Sequence, residues 1–281
     1  MAKEIFASRV RSFQGALIAF LFVSQVVQSE ATIYTVNYTS SGNAYSAAYD
    51  SSQDGFTSWS QNGQNQLVLQ LLYYRIGSSG SPTLLTPASV TTGNAGSGKK
   101  ITVNYTISDG TIQDVMTLIG NTLSESIEFN NSSGGSVDMS IFQYSDFVLG
   151  GSGYAGSQTV IMTPYTVNEG YAVANQIGGG LTFSWQGFVN GGTTLVQADS
   201  SGAPFGAFIG SGTDLDNATL TAYNTSAVFG FEFSGTVANG NNLLISENTA
   251  FPVPEPSSAA LIASGMLAFS LIFLQRRSKK A

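Results

Sequence analysis

One stretch of this chain, AVFGFEFSGTV, fixes its own conformation by its period. Phe229, Phe231 and Phe233 alternate with Val228, Gly230, Glu232 and Ser234. Successive side chains of a strand point to opposite faces, so the three rings share one face and Gly230, Glu232 and Ser234 share the other. Similar short runs, rich in β-branched and aromatic residues, recur as TIYTVNYT, QLVLQLLYYR, KITVNYTIS, SESIEFN, SVDMSIFQYSDFVLG, GGLTFSWQGFV and NLLISEN. Turn-forming clusters such as SSGN, GSSGSP, SDG and NSSGGS separate them. Strands at this spacing predict an all-β fold. The expectation is one antiparallel β-sandwich over residues 32–250, jelly-roll-like or another Greek key, with aromatics of both sheets filling a core about 10 Å thick. The stretch TTGNAGSGKK reads as a mobile loop.

Composition narrows the chemistry. The 281 residues include no cysteine and no histidine, and only 10% are charged. Disulfides, thiolate metal sites and cysteine nucleophiles are excluded, and the usual general base is missing. Between Thr32 and Pro256 the basic residues are Arg75, Lys99 and Lys100 against fifteen acids, a net charge of −12. Such a body repels nucleic-acid phosphates, and no basic patch is present to hold them.

The ends read as addresses. MAKEIFASRVRSFQ is a basic leader, and Gly15 to Val27 is an apolar run of 13 residues, too short to span a bilayer. Ser29 and Ala31 have the small-residue spacing of a signal-peptidase site, so residues 1–31 are expected to be a cleaved signal peptide. At the other end, residues 251–256 form a proline-rich linker, and Ser257 to Leu274 is an uncharged run of 18 residues. As a helix that run spans about 27 Å, enough for a bilayer core. The basic tail 275–281 is expected to stay cytoplasmic, which puts the body outside.

Pro254, Glu255 and Pro256, the apolar run and then Arg276 and Arg277 together resemble the PEP-CTERM sorting signal of Gram-negative bacteria. The resemblance covers only the last thirty or so residues. It implies processing by an exosortase, a transient inner-membrane anchor, and release or transfer of the body to the cell surface or beyond. It also implies association with exopolysaccharide and biofilm matrix. The prolines agree with that reading: they fix φ and bias the preceding residues toward extended structure, leaving an unpaired backbone that a protease can grip.

Within the body, candidates for chemistry are few. Without histidine, carboxylates are the only acid/base pair available. Asp109 with Asp114, and Glu125 with Glu128, are neighbours in sequence, and they read as solvated turn acids rather than as the facing pair of a glycoside hydrolase. Asp214, Asp216 and Asn217 in GTDLDNAT offer hard oxygen ligands for calcium, with an Asx-turn as the plainer reading; no other cofactor is implied. Trp185 lies in an apolar strand and is expected in the core. Trp59, set among polar residues in GFTSWSQNGQ, is the candidate sugar-stacking platform. The leading expectation is an exported, non-enzymatic surface or matrix protein. A carbohydrate-binding sandwich is the alternative, and a carboxylate-pair glycoside hydrolase is the third reading.

Overall fold

The computed structural model describes residues 31–153, 158–164, 171–199, 214–215, 221–225 and 227–250. The chain divides into two units, Met1–Glu30 and Ala31–Ala281, and the described residues all belong to the second. All of the expected signal peptide 1–31 except Ala31, the expected linker 251–256, the apolar run 257–274, the tail 275–281, and with them Pro254, Glu255, Pro256, Arg276 and Arg277, lie outside the described residues. Among the described residues no helix is long and apolar enough to cross a membrane.

Among the described residues the strands form two antiparallel sheets of nine each. The first sheet runs in the order β1 (Ile33–Ser40), β2 (Asn43–Asp50), β3 (Gly55–Gln61), β5 (Leu67–Ile76), β11 (Val137–Phe147), β17 (Val228–Val237), β15 (Thr193–Asp199). Two-residue strands β4 (Gln64–Asn65) and β6 (Thr83–Leu84) pair with β3 and β5. The second sheet runs β16 (Thr221–Thr225), β12 (Gln158–Pro164), β13 (Tyr171–Gly178), β14 (Leu181–Val189), β18 (Asn242–Ala250), β10 (Thr122–Asn131), β9 (Gly110–Ile119), β8 (Gly98–Ile107), β7 (Ser89–Ala95). The expected all-β antiparallel sandwich is what the chain forms. Its two meanders, β7 to β10 and β12 to β14, are joined edge to edge only when β18 enters between them. Closure of the second sheet therefore depends on the last strand of the body, a long-range pairing of the kind that slows folding.

The stretch TTGNAGSGKK is not a mobile loop. It is a tight hairpin in which β7 pairs with β8 from Ser89↔Asn104 to Ala95↔Gly98. A two-residue turn suffices because Gly96 takes a positive φ of 56°. Lys99 and Lys100 accordingly lie half-buried on a strand, and the Lys99 Nζ donates to Asn94 Oδ1 at 2.7 Å.

The rings of Phe229, Phe231 and Phe233 share the inner face, as their period requires, and join one continuous core. Trp59, Phe147, Phe183, Trp185 and Phe229 form its aromatic centre, with ring centroids 5.0–6.5 Å apart. Trp185 is in this core as expected. Trp59 is there too, at 0% exposure. It is therefore no sugar platform. Its polar neighbours Ser58 and Ser60 misled because adjacent residues on a strand face away from one another.

The outer face of the first sheet is also partly covered. Phe142, Tyr144 and Val228 form a second apolar cluster with Leu215, flanked by Leu71, Tyr73 and Leu195. This explains why nearly every residue of β11 is buried on both faces.

Candidate functional site: an open cleft and a buried carboxyl cluster

On the outer face of the first sheet the register lines up polar residues across four strands. Arg75 on β5 is opposite Ser140 on β11, Ser140 is opposite Ser234 on β17, and Ser234 is opposite Thr193 on β15. Cross-strand partners share a face, so these four form a row with steps of about 4.8 Å. Two residues along, Tyr73, Phe142, Glu232 and Leu195 form the next row. On the other side, Asp138 is opposite Thr236. The first row, with Glu232 and Leu195 of the second and the Asp138–Thr236 pair, floors an open cleft of about 810 Å³, walled by the β14–β15 hairpin with Phe188, Gly191 and Gly192. Phe188 is 42% exposed.

The hairpin comes down onto the floor because Gly192 carries no side chain. A Cβ there would lie 2.2 Å from the carbonyl oxygen of Ser234. Gly192→Ala is expected to push β15 off β17 and cost about 2 kcal/mol, within the usual range for a steric clash in a folded core. Denaturant unfolding of the variant checks this.

Arg75 organises the cleft. Its Nη2 donates to Glu232 Oε1 at 3.3 Å, to Ser140 Oγ at 3.2 Å and to the Asp214 carboxylate. Its Nε donates to the Gly77 carbonyl at 3.2 Å, and its guanidinium carbon stands 5.2 Å above the centre of the Phe142 ring. Glu232 also accepts from the Leu215 backbone N–H at 2.9 Å and from the Ser234 hydroxyl at 3.1 Å. Burial nevertheless holds its carboxyl above the ordinary value. Arg75 is 6% exposed, and its Nη1 has no hydrogen-bond partner. A buried donor left unsatisfied costs of order 1–3 kcal/mol. Asp214, the one member of the proposed calcium set among the described residues, is thus occupied by a guanidinium. Asp216 and Asn217 lie outside the described residues. Among the described residues no group of acids is arranged to hold a metal ion.

The second polar site is internal. Asp114 on β9, Glu125 on β10 and Glu247 on β18 all point into the core, and none is more than 3% exposed. Glu125 and Glu247 are directly opposite across the β10–β18 ladder. Asp109 is the turn acid expected of it, and Glu128 is half-buried, accepting from Asn242 at 2.7 Å. The expectation of solvated turn acids fails for Asp114 and Glu125. From the opposite sheet, the Gln70 amide donates to both Glu125 oxygens at 2.8 and 2.6 Å. Gln143 donates to Glu125 at 2.9 Å and to Glu247, and the Trp185 indole donates to Glu247 at 2.8 Å.

Donors are still too few. Both oxygens of Asp114, Glu247 Oε1 and the amide oxygens of Gln70 and Gln143 accept no hydrogen bond from an N–H or hydroxyl group. Carboxyl protons are the donors this arrangement lacks, since a protonated acid turns one acceptor into a donor. Burial first, then mutual repulsion, raises Asp114 and Glu247 well above their ordinary values. Burial lifts Glu125 to about 7. Tyr49 and Tyr105, facing the cluster from β2 and β8, are raised as well, chiefly by burial. The cluster has the carboxyls of an acid/base catalyst, but the core seals them from any substrate. Their signal was in the sequence: Glu125 has the parity of Leu123, Ile127 and Phe129, and Asp114 that of Ile112, Met116 and Leu118.

No protein-family model matches the chain, and no curated protein does. Among solved structures, the Slr1438 protein of Synechocystis sp. PCC 6803 is similar at 8% identity and a TM-score of 0.49, over 78% of this chain and 96% of its own. A polysaccharide lyase (BACCELL_00875) is similar at 11% identity and a TM-score of 0.44, over 78% of this chain and 32% of its own. A bacterial glucoamylase complexed with acarbose is similar at 8% identity and a TM-score of 0.46, over 83% and 38%. The chain thus spans about a third of the lyase and of the glucoamylase. Similarity at this level gives no residue correspondence.

Proposed function

We propose that this chain is an exported, non-enzymatic β-sandwich protein of the cell surface or extracellular matrix, matured by signal peptidase at one end and by an exosortase at the other. The observation that carries the reading is the C-terminal order of Pro254-Glu255-Pro256, an uncharged run of 18 residues and Arg276-Arg277. The basic leader and apolar run at the N-terminus support the same export route. The absence of histidine and cysteine supports a non-catalytic role, as does the sealing of the three core carboxyls. Association with exopolysaccharide follows from the PEP-CTERM resemblance.

Mass spectrometry of the C-terminus, on protein from cell surface and medium, tests this reading. Residues beyond the Pro-Glu-Pro segment are expected to be lost. A Pro254→Ala/Glu255→Ala protein is expected to keep them and to accumulate in the inner membrane. Normal maturation of that variant would remove the exosortase from the scheme.

The second reading, a carbohydrate-binding sandwich, moves from Trp59 to the cleft. The observation favouring it is the polar row of Arg75, Ser140, Ser234 and Thr193 lining a cavity that the exposed residue Phe188 also lines.

A further inference from the structure

We infer that the cleft between β5, β11, β17, β15 and the β14–β15 hairpin is a binding site for an uncharged glycan chain, an inference that rests on the carbohydrate-binding reading above. The floor is the face of a sheet, and across β5, β11 and β17 the backbone groups are paired within the ladder, so there mainly side chains face the cleft. Peptide recognition by strand addition is therefore unavailable there. The side chains are a guanidinium, carboxylates and hydroxyls: Arg75, Asp138, Glu232, Ser140, Ser234 and Thr193. Hydroxyls both donate and accept, and carboxylates accept. Together they match a ligand that presents many hydroxyl groups, each needing both kinds of partner. The row from Arg75 to Thr193 offers such partners at regular steps of about 4.8 Å across the strands.

Phe188 supplies what a polar row lacks. Its exposed ring stands at the rim of the cleft, where it offers an apolar face to the C–H face of a sugar ring. A few placed polar groups beside apolar surface, in a cavity of this volume, is the usual form of a small-ligand site.

Charge chooses among glycans. Among the described residues the lining carries three carboxylates, Asp138, Asp214 and Glu232, against the single guanidinium of Arg75. Arg75 is already shared between two of them. An anionic chain would meet net repulsion, which the acidic body reinforces. A neutral chain meets none.

The test is affinity electrophoresis of the full chain, solubilised in detergent, through gels holding dextran, galactomannan, xyloglucan or alginate. Retardation by at least one of the three neutral polysaccharides is expected, and none by alginate. Thr193→Trp puts bulk into the cleft from an exposed position, and it is expected to weaken binding at least tenfold with an unchanged unfolding temperature. Phe188→Ala is expected to weaken it several-fold. Retardation by alginate alone, by no neutral polysaccharide, or unchanged in Thr193→Trp would overturn the proposal. The C-terminal maturation experiment is independent of these gels. Normal exosortase processing together with no glycan binding would sink the cleft proposal and leave the export reading standing.

Discussion

The midpoint of thermal unfolding is expected to fall by roughly 6–12 °C or more between about pH 5 and about pH 8. The cause is the internal carboxyl cluster. In the unfolded chain Glu125 and Glu247 release their protons near 4.5 and Asp114 near 3.8. In the folded chain all three hold them to higher pH. Above about pH 4 the native state therefore binds more protons than the unfolded one, and stability falls as pH rises. For Glu125 the loss spans 4.5 to about 7 and amounts to roughly 3 kcal/mol. Asp114 and Glu247 carry the decline further up the scale. Asp146, lifted to about 6 by burial, adds in the same direction. Against a total stability of about 5–15 kcal/mol this is a large share, and for a domain of this size each kcal/mol moves the midpoint by about 2–4 °C.

The neutral variants separate this mechanism from a general effect of net charge. Glu125→Gln keeps the shape and removes a proton site. It is expected to unfold near the wild-type temperature at about pH 5 and several degrees above it at about pH 8. Asp114→Asn is expected to flatten the profile in the same way. A wild-type midpoint that rises from about pH 5 to about pH 8 would show that the three carboxyls are ionised in the fold.

The inward orientation of these acids was legible from parity alone, since Glu247 alternates with Leu244, Ser246 and Asn248 while sharing a face with Leu243 and Ile245. What parity does not supply is adjacency. Glu247 belongs to the last strand of the body and Glu125 to a meander more than a hundred residues earlier, and only the entry of β18 beside β10 brings them together. The same limit applies to the cleft. The polar alternation of Glu232 and Ser234 was readable in β17, but the row through Ser140 to Arg75 depends on β11 being inserted between β5 and β17. The ends of the chain present the opposite case: the addresses proposed for them are local patterns, read without any fold.

Trp59 gives the sharpest contrast between local sequence and packing, and its replacement tests the packing directly. The indole is 0% exposed and meets Phe147, Phe183 and Trp185 edge-on, with centroids 6.0, 6.2 and 6.5 Å away. These rings come from both sheets, so the side chain ties the two layers together. Trp59→Ala removes a large apolar surface and leaves a cavity that the facing strands close only in part. A loss of about 3–5 kcal/mol is expected, with the edge-on aromatic contacts contributing about 0.5–1.5 kcal/mol each beyond burial. Trp59→Phe keeps ring and volume in part and is expected to recover much of that loss. Chemical denaturation of the three proteins at about pH 5, below the raised range of the carboxyl cluster, compares their packing. At concentrations of denaturant where Trp59→Ala remains folded, its glycan binding is expected to equal the wild type, because the cleft lies on the opposite face of the first sheet. A variant of wild-type stability that had lost only binding would return Trp59 to the surface.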